Sequence, residues 1–247
     1  MNEDNLAYLK DQLRYLGISE RIDKDLAEKM QTPRSFSLMY GVEFGQDAAF
    51  AVLKFKKSTE SDLFFLTNYT LHLVAAGVGP RLQTFPVQGK SGTTMDEGYN
   101  LLKGRAVLQK IANGNGEDYL AWQQLDFTHR DKNNDYRVTT FKDTAGAAFM
   151  DAATALTIFP MKAGMAEEII RSLAKGNIHP AVFNTPAGEV LLFLQYDPAA
   201  KEVILYDKDM RLLGKDAKKD FIHKDRLPET LLPKKRVKSH RNGLSIK

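Results

Sequence analysis

The sequence predicts an α+β fold: an N-terminal helical hairpin followed by two related antiparallel strand-and-helix blocks. Three observations predict it. Leucines at three- and four-residue steps open the chain. Alternating apolar residues follow, joined by turns too short for parallel crossovers. Three short motifs then recur in the same order in both halves.

Leu6, Leu9, Leu13 and Leu16 share one helical face over residues 5–16, and Gly17 suits the position just past a helix end. Ser19 reads as the N-cap of a second helix, with Ile22, Leu26 and Met30 as its apolar stripe and Pro33 as its stop. Strand patterns occupy residues 35–44, 49–56, 62–73 and 81–87, and a helix over 95–103 ends at Gly104. Asn113-Gly114-Asn115-Gly116 is a turn cluster. Strands follow at 119–127 and 136–142, joined by the polar turn HRDKNND. An alanine-rich helix over 145–159 stops at Pro160, and another over 164–175 ends at Gly176. Strands at 180–184, 189–196 and 202–206 complete the pattern.

The expected organisation is a hairpin over 1–34, a first block over 35–115, a second over 116–227 and a basic tail over 228–247. Leu53-Lys54-Phe55 resembles Leu125-Asp126-Phe127, residues 81–85 resemble 137–141, and LLKGR at 101–105 resembles LAKGN at 173–177. These pairs predict a diverged strand–strand–helix repeat.

With 247 residues, 43% hydrophobic and 27% charged, the chain has the composition of a water-soluble globular protein. No apolar run approaches the ~20 residues of a membrane helix, and Met1-Asn2-Glu3-Asp4 starts no secretory signal. No membrane partner and a cytoplasmic location are expected. The absence of cysteine excludes disulfides, thiol catalysis and cysteine-ligated zinc.

Charge is unevenly placed. Lys234, Lys235, Arg236, Lys238, Arg241 and Lys247 form a tail without an acid, leaving 29 basic against 31 acidic residues elsewhere. Such a polycation is the candidate nucleic-acid-binding segment, for DNA or RNA through phosphate contacts that weaken with salt.

No complete catalytic motif stands in the sequence. Gly89-Lys90-Ser91 has the look of a phosphate loop, but Thr84 stands where the loop needs its first glycine and Pro86 removes an amide. Thr94-Met95-Asp96-Glu97 instead reads as a capping box that starts a helix. The five histidines, His72, His129, His179, His223 and His240, lack metal-ligand spacing. Asp126, His129, Asp131 and Asp135 share a turn without the glycine and terminal glutamate of a calcium loop. No GxSxG elbow is present, and Trp122, the one tryptophan, alternates with polar neighbours as a core residue does. No catalytic residue, metal or cofactor is expected, and the chain reads as a non-enzyme.

Several longer runs carry a resemblance. They are NLAYLKDQLRYLG at 5–17, FKKS at 55–58, SDLFF at 61–65, EGYNLLKGR at 97–105, AWQQLDF at 121–127 and SLAKGN at 172–177. Through them residues 5–210 resemble an uncharacterised family of Bacteroides-type gut bacteria, domain-of-unknown-function family 3945. The alanine-rich stretch 144–155 departs from the family's more polar segment. The resemblance implies a cytoplasmic bacterial protein linked to conjugative or other mobile elements, with no known activity. The expected function is therefore a non-enzymatic accessory protein that contacts nucleic acid through its tail. The alternatives are a protein–protein interaction module, using strand edges or the N-terminal hairpin, and an unrecognised hydrolase or nuclease.

Overall fold

The computed structural model describes residues 2–89, 91–112, 115–141, 148–159, 165–185 and 188–222. Helix α1 (Glu3–Tyr15) is capped by the Asn2 side chain, which accepts the Asn5 amide. A 3-10 turn (Glu20–Ile22) and the short α2 (Asp23–Lys29) follow. Strands β1 (Phe36–Phe44), β2 (Asp47–Lys57), β3 (Phe64–Val74), β4 (Arg81–Gln88) and β5 (Ser91–Gly92) lead into α3 (Met95–Leu102). Next come β6 (Val107–Ala112), β7 (Asp118–Arg130), β8 (Tyr136–Phe141), α4 (Ala148–Leu156) and α5 (Met165–Ala174). The described chain closes with β9 (His179–Thr185), β10 (Gly188–Asp197), β11 (Glu202–Tyr206), α6 (Lys215–Lys218) and a last 3-10 turn (Lys219–Phe221).

The expected α+β architecture is overturned. The chain is mostly antiparallel β, with eleven strands in three sheets and only short helices among the described residues. The orders are β1-β2-β3-β4-β5 in sheet 1, β6-β7-β8 in sheet 2 and β11-β10-β9 in sheet 3. The N-terminal helices do not stand ahead of the strands as a hairpin. Leu9, Leu13, Leu16, Ile22, Leu26 and Met30 all enter one core with Leu53, Tyr69 and Leu71 of sheet 1. Burying these stripes on the strands removes more apolar surface from water than two helices can offer each other. Ser19 makes no side-chain cap, and α2 starts at Asp23 after the 3-10 turn. Nor are there two blocks: residues 107–112, given no element from sequence, form β6 and pair with β7 as part of a separate sheet.

Sheet 2 lies between two cores. Val107, Leu125 and Tyr136 belong to the first core, with sheet 1, α1, α2 and α3. Trp122, with Leu108 and Phe141 beside it, belongs to the second, with α4, α5 and sheet 3. Ala121 and Trp122 are thus buried side by side on opposite faces of one strand.

The motif shared by LLKGR and LAKGN is a helix end. At α3 the Gly104 amide donates to the Leu101 carbonyl and the Arg105 amide to the Asn100 carbonyl, both at 2.9 Å. At α5 Gly176 and Asn177 repeat this with Leu173 and Ser172, at 2.8 and 3.2 Å. At α1 Gly17 and Ile18 do so with Arg14 and Leu13, at 3.0 and 2.9 Å. Each glycine has positive φ, as this paired cap requires.

Buried amide side chains fasten the layers. Asn5 accepts from the Phe64 amide (2.8 Å) and donates to the Phe64 carbonyl (3.0 Å), acting as a one-residue strand partner for β3. Gln83 treats Tyr136 likewise, at 2.8 and 3.4 Å, tying sheet 1 to sheet 2. No described helix is long and apolar enough to cross a membrane.

Candidate functional site

The helices that pack on sheet 1 cover one face of it; among the described residues no helix packs on the opposite face, where Phe50 and Val52 are half-buried. Along β2 the inward residues Ala49, Ala51, Leu53 and Phe55 are buried, while Ala48, Phe50, Val52, Lys54 and Lys56 point the other way. Residues 48–53, Ala-Ala-Phe-Ala-Val-Leu, are therefore apolar on both faces, the pattern of a strand covered on both sides. Antiparallel register sets Val52 between Met39 and Thr70, and Phe50 between Gly41 and His72. Leu82 lies beyond His72 on β4. The Phe50 and His72 rings stack at 4.4 Å with 6° between planes. Met39 is 69% exposed, Val74 60% and Phe65 48%. Sheet 3 shows Val182 and Leu191 to solvent in the same manner, over shorter strands.

The open edge of this surface is β1. Arg21 partly guards it: its guanidinium donates to the Gly41 carbonyl at 3.1 Å and lies 5.3 Å from the Tyr40 ring centroid. A cation placed on an edge carbonyl discourages indiscriminate strand pairing. The broad face itself carries no such guard at Met39 or Val74.

The turn that carries Asp126, His129, Asp131 and Asp135, read from sequence as lacking the calcium-loop pattern, does not bring them to one point. Asp126 accepts from the Thr128 hydroxyl (2.5 Å), the Thr128 amide (2.9 Å) and His129 Nδ1 (2.7 Å). The Thr128 hydroxyl, followed by the Thr128 amide and the His129 ring, holds the Asp126 carboxyl down at about 2. Thr128 and Asp126 both meet His129 at Nδ1, whereas a proton relay needs nucleophile and carboxylate on opposite ring nitrogens. Asp131 accepts the amides of Asn133 and Asp135 within its own turn. Asp135 reaches across to the Thr84 amide at 2.7 Å and covers the edge of β4. A cleft of about 550 Å³ separates this hairpin from β4, and Arg130 lies in it, bonded to the Asn134 carbonyl and the Tyr136 hydroxyl. No group of three or more potential metal-ligating side chains occurs among the described residues.

Around residues 88–92 the chain turns rather than cradles. The Gly89 carbonyl accepts from Gln12 at 2.6 Å and Lys90 lies outside the described residues. The helix-start reading holds: Thr94 Oγ1 accepts the Glu97 amide and Glu97 accepts the Thr94 amide, a complete capping box. Trp122 is buried, its ring 4.7 Å from that of Tyr196. His179 opens β9, and His223 and His240 lie outside the described residues. So do all six tail residues, Lys234, Lys235, Arg236, Lys238, Arg241 and Lys247.

No family model, curated protein or solved structure matches the chain. The outer face of sheet 1 was not legible as a surface because alternation in one register accounts for only one side of β2. Its signal was present in the unbroken apolar run at 48–53.

Proposed function

We propose that this chain is a non-enzymatic accessory protein of a bacterial mobile element, acting in the cytoplasm, which holds a protein partner on the outer face of sheet 1. The mobile-element setting rests on the resemblance of residues 5–210 alone. The partner reading rests on one observation: β2 is apolar on both faces while the described chain covers only one. Contiguous exposed apolar area on a folded protein marks an interaction surface. The test is a photo-crosslinking residue placed at Met39, with Leu212, 67% exposed and away from this face, as control. In native cells a discrete adduct is expected from position 39 and not from 212. Equal labelling from both positions, or none from 39, refutes the reading.

A second reading is favoured by the six cations from Lys234 onward, which suit phosphate contacts on DNA or RNA. Fluorescence anisotropy with single- and double-stranded DNA and with RNA, across a salt series, compares the full chain with one ending at Leu232. Roughly six phosphate contacts give a log–log salt slope of about −4 on single strands and about −5.4 on duplex DNA. Binding that survives truncation unchanged removes the tail from the account.

A further inference from the structure

β1 carries a glycine that its own fold does not use. Gly41 stands mid-strand opposite Phe50, in a register that runs unbroken from Phe36 to Phe44, so it marks no bulge. It is not among the glycines with positive φ. A Cβ added there would find nothing within 4 Å. Glycine inside a strand weakens it, and one reason for its presence is the close approach of another chain. Gly41 is exposed and leaves a recess beside Phe50 on the outer face of sheet 1. Two residues back on the same face stands Met39, 69% exposed. A recess and a knob on one strand of one chain suit a second copy of that chain.

The charges on this face are divided in the same manner. Glu43 lies beside the β1–β2 turn, whereas Lys54 and Lys56 lie at the opposite end of β2. All three are exposed, and among the described residues none has an ion-pair partner. A two-fold axis lying in the face and crossing the strands at the row Tyr40–Ala51–Leu71 sets each end of one copy over the other end of its mate. Met39 then falls on the other copy's Gly41, Val52 on its Phe50, and Glu43 beside its Lys54 and Lys56. Every contact occurs twice, as an isologous interface requires. Nine residues of β1 at ~3.4 Å, by four strands at ~4.8 Å, give roughly 600 Å² per copy. The total of about 1,200 Å² is the lower end of a specific interface.

We propose that the outer face of sheet 1 packs on the same face of a second copy of this chain, sheet on sheet, about a two-fold axis across the strands. The inference rests on the reading of that face as a contact surface and names its occupant. Like charges would face each other if the copies were instead related by an axis along the strands, so the division of Glu43 from Lys54 and Lys56 also sets the orientation.

The test is sedimentation equilibrium of the full chain across a concentration series, with circular dichroism as the check on folding. The mass of the wild type should rise toward twice that of one chain. Glu43→Lys, and separately Lys54→Glu with Lys56→Glu, should each weaken the dimer by at least about tenfold, because like charges then meet. The triple variant restores opposite charges and should recover most of the loss. A dimer indifferent to these reversals, or a triple variant no tighter than its parents, overturns the inference. Should a reversed variant fail to fold, the purified chain with the photo-crosslinking residue at position 39 decides: the joined peptides should be β1 to β1 of two copies, and any other joint counts against the pairing. A wild type that stays a single chain at every concentration also overturns the inference. In that event a cellular adduct from position 39 to a different protein would leave the contact-surface reading standing, and no adduct would remove both.

Discussion

Asn100 on α3 closes the end of α5. Its Nδ2 donates to the Lys175 carbonyl at 2.6 Å and to Asn177 Oδ1 at 2.8 Å, with the residue 3% exposed. Removing the amide strands the Lys175 carbonyl in a dry interface. Asn100→Ala should cost about 1–3 kcal/mol in urea unfolding. Asn100→Asp should cost more, because a carboxylate would face two acceptor oxygens. If Asn100→Asp proves as stable as wild type, the hydrogen bonds do not hold the layers together.

Gly176 and Gly17 make the same kind of helix end, with φ of 77° and 83°, in different surroundings. A Cβ on Gly176 would sit 2.9 Å from the Ala106 carbonyl oxygen, Asn100 Cβ and Val107 Cγ2. On Gly17 its nearest neighbour would be Met95 Cβ, at an ordinary 3.9 Å. Gly17→Ala should therefore cost only the left-handed backbone strain, about 1–2 kcal/mol. Gly176→Ala should add the ~1–3 kcal/mol of overpacking. Equal losses in the two variants would contradict this difference.

Thr94 caps α3 and its hydroxyl has one structural task, accepting the Glu97 amide at 3.3 Å. Thr94→Ala should lower stability by about 1 kcal/mol, and Thr94→Ser should restore most of it. Chemical denaturation of both variants checks this; a Ser variant no better than Ala would deny the cap its role.

Asp126 supplies a pH-dependent contribution of known sign. Its folded pKa, about 2, lies below the ordinary 3.8. The associated stability is full above 3.8 and is lost as pH falls from there toward 2. Titration of the Asp126 carboxyl carbon by NMR should show the low midpoint. Thr128→Val, which removes the first of the donors, should move it up. A wild-type midpoint at 3.8 would show that the turn does not form as described.

Local chemistry was legible in the sequence, and assembly was not. The Thr94 capping box, the glycine helix ends and most strands follow from residues close in the chain. The fold class was misjudged because periodicity shows that Leu9, Leu13 and Leu26 form stripes without showing that sheet 1, not a neighbouring helix, receives them. Strand β6 escaped because Val107–Ala112 carries Gln109 and Lys110 in its middle and its partner β7 lies beyond the 113–116 turn. Among candidate residues, the Asp126–Asp135 turn could be seen as a cluster of charges. Only the folded chain reveals that Asp135 serves Thr84, 51 positions away.

Within each sheet every strand pairs only with the one before or after it in the chain. Such meanders close short loops and need no distant segment to begin. During synthesis, each sheet has all its strands as soon as its last one emerges, and only docking between sheets must wait. The contacts made by Gln83 and Asn100, which join segments 53 to 77 residues apart, belong to that later step.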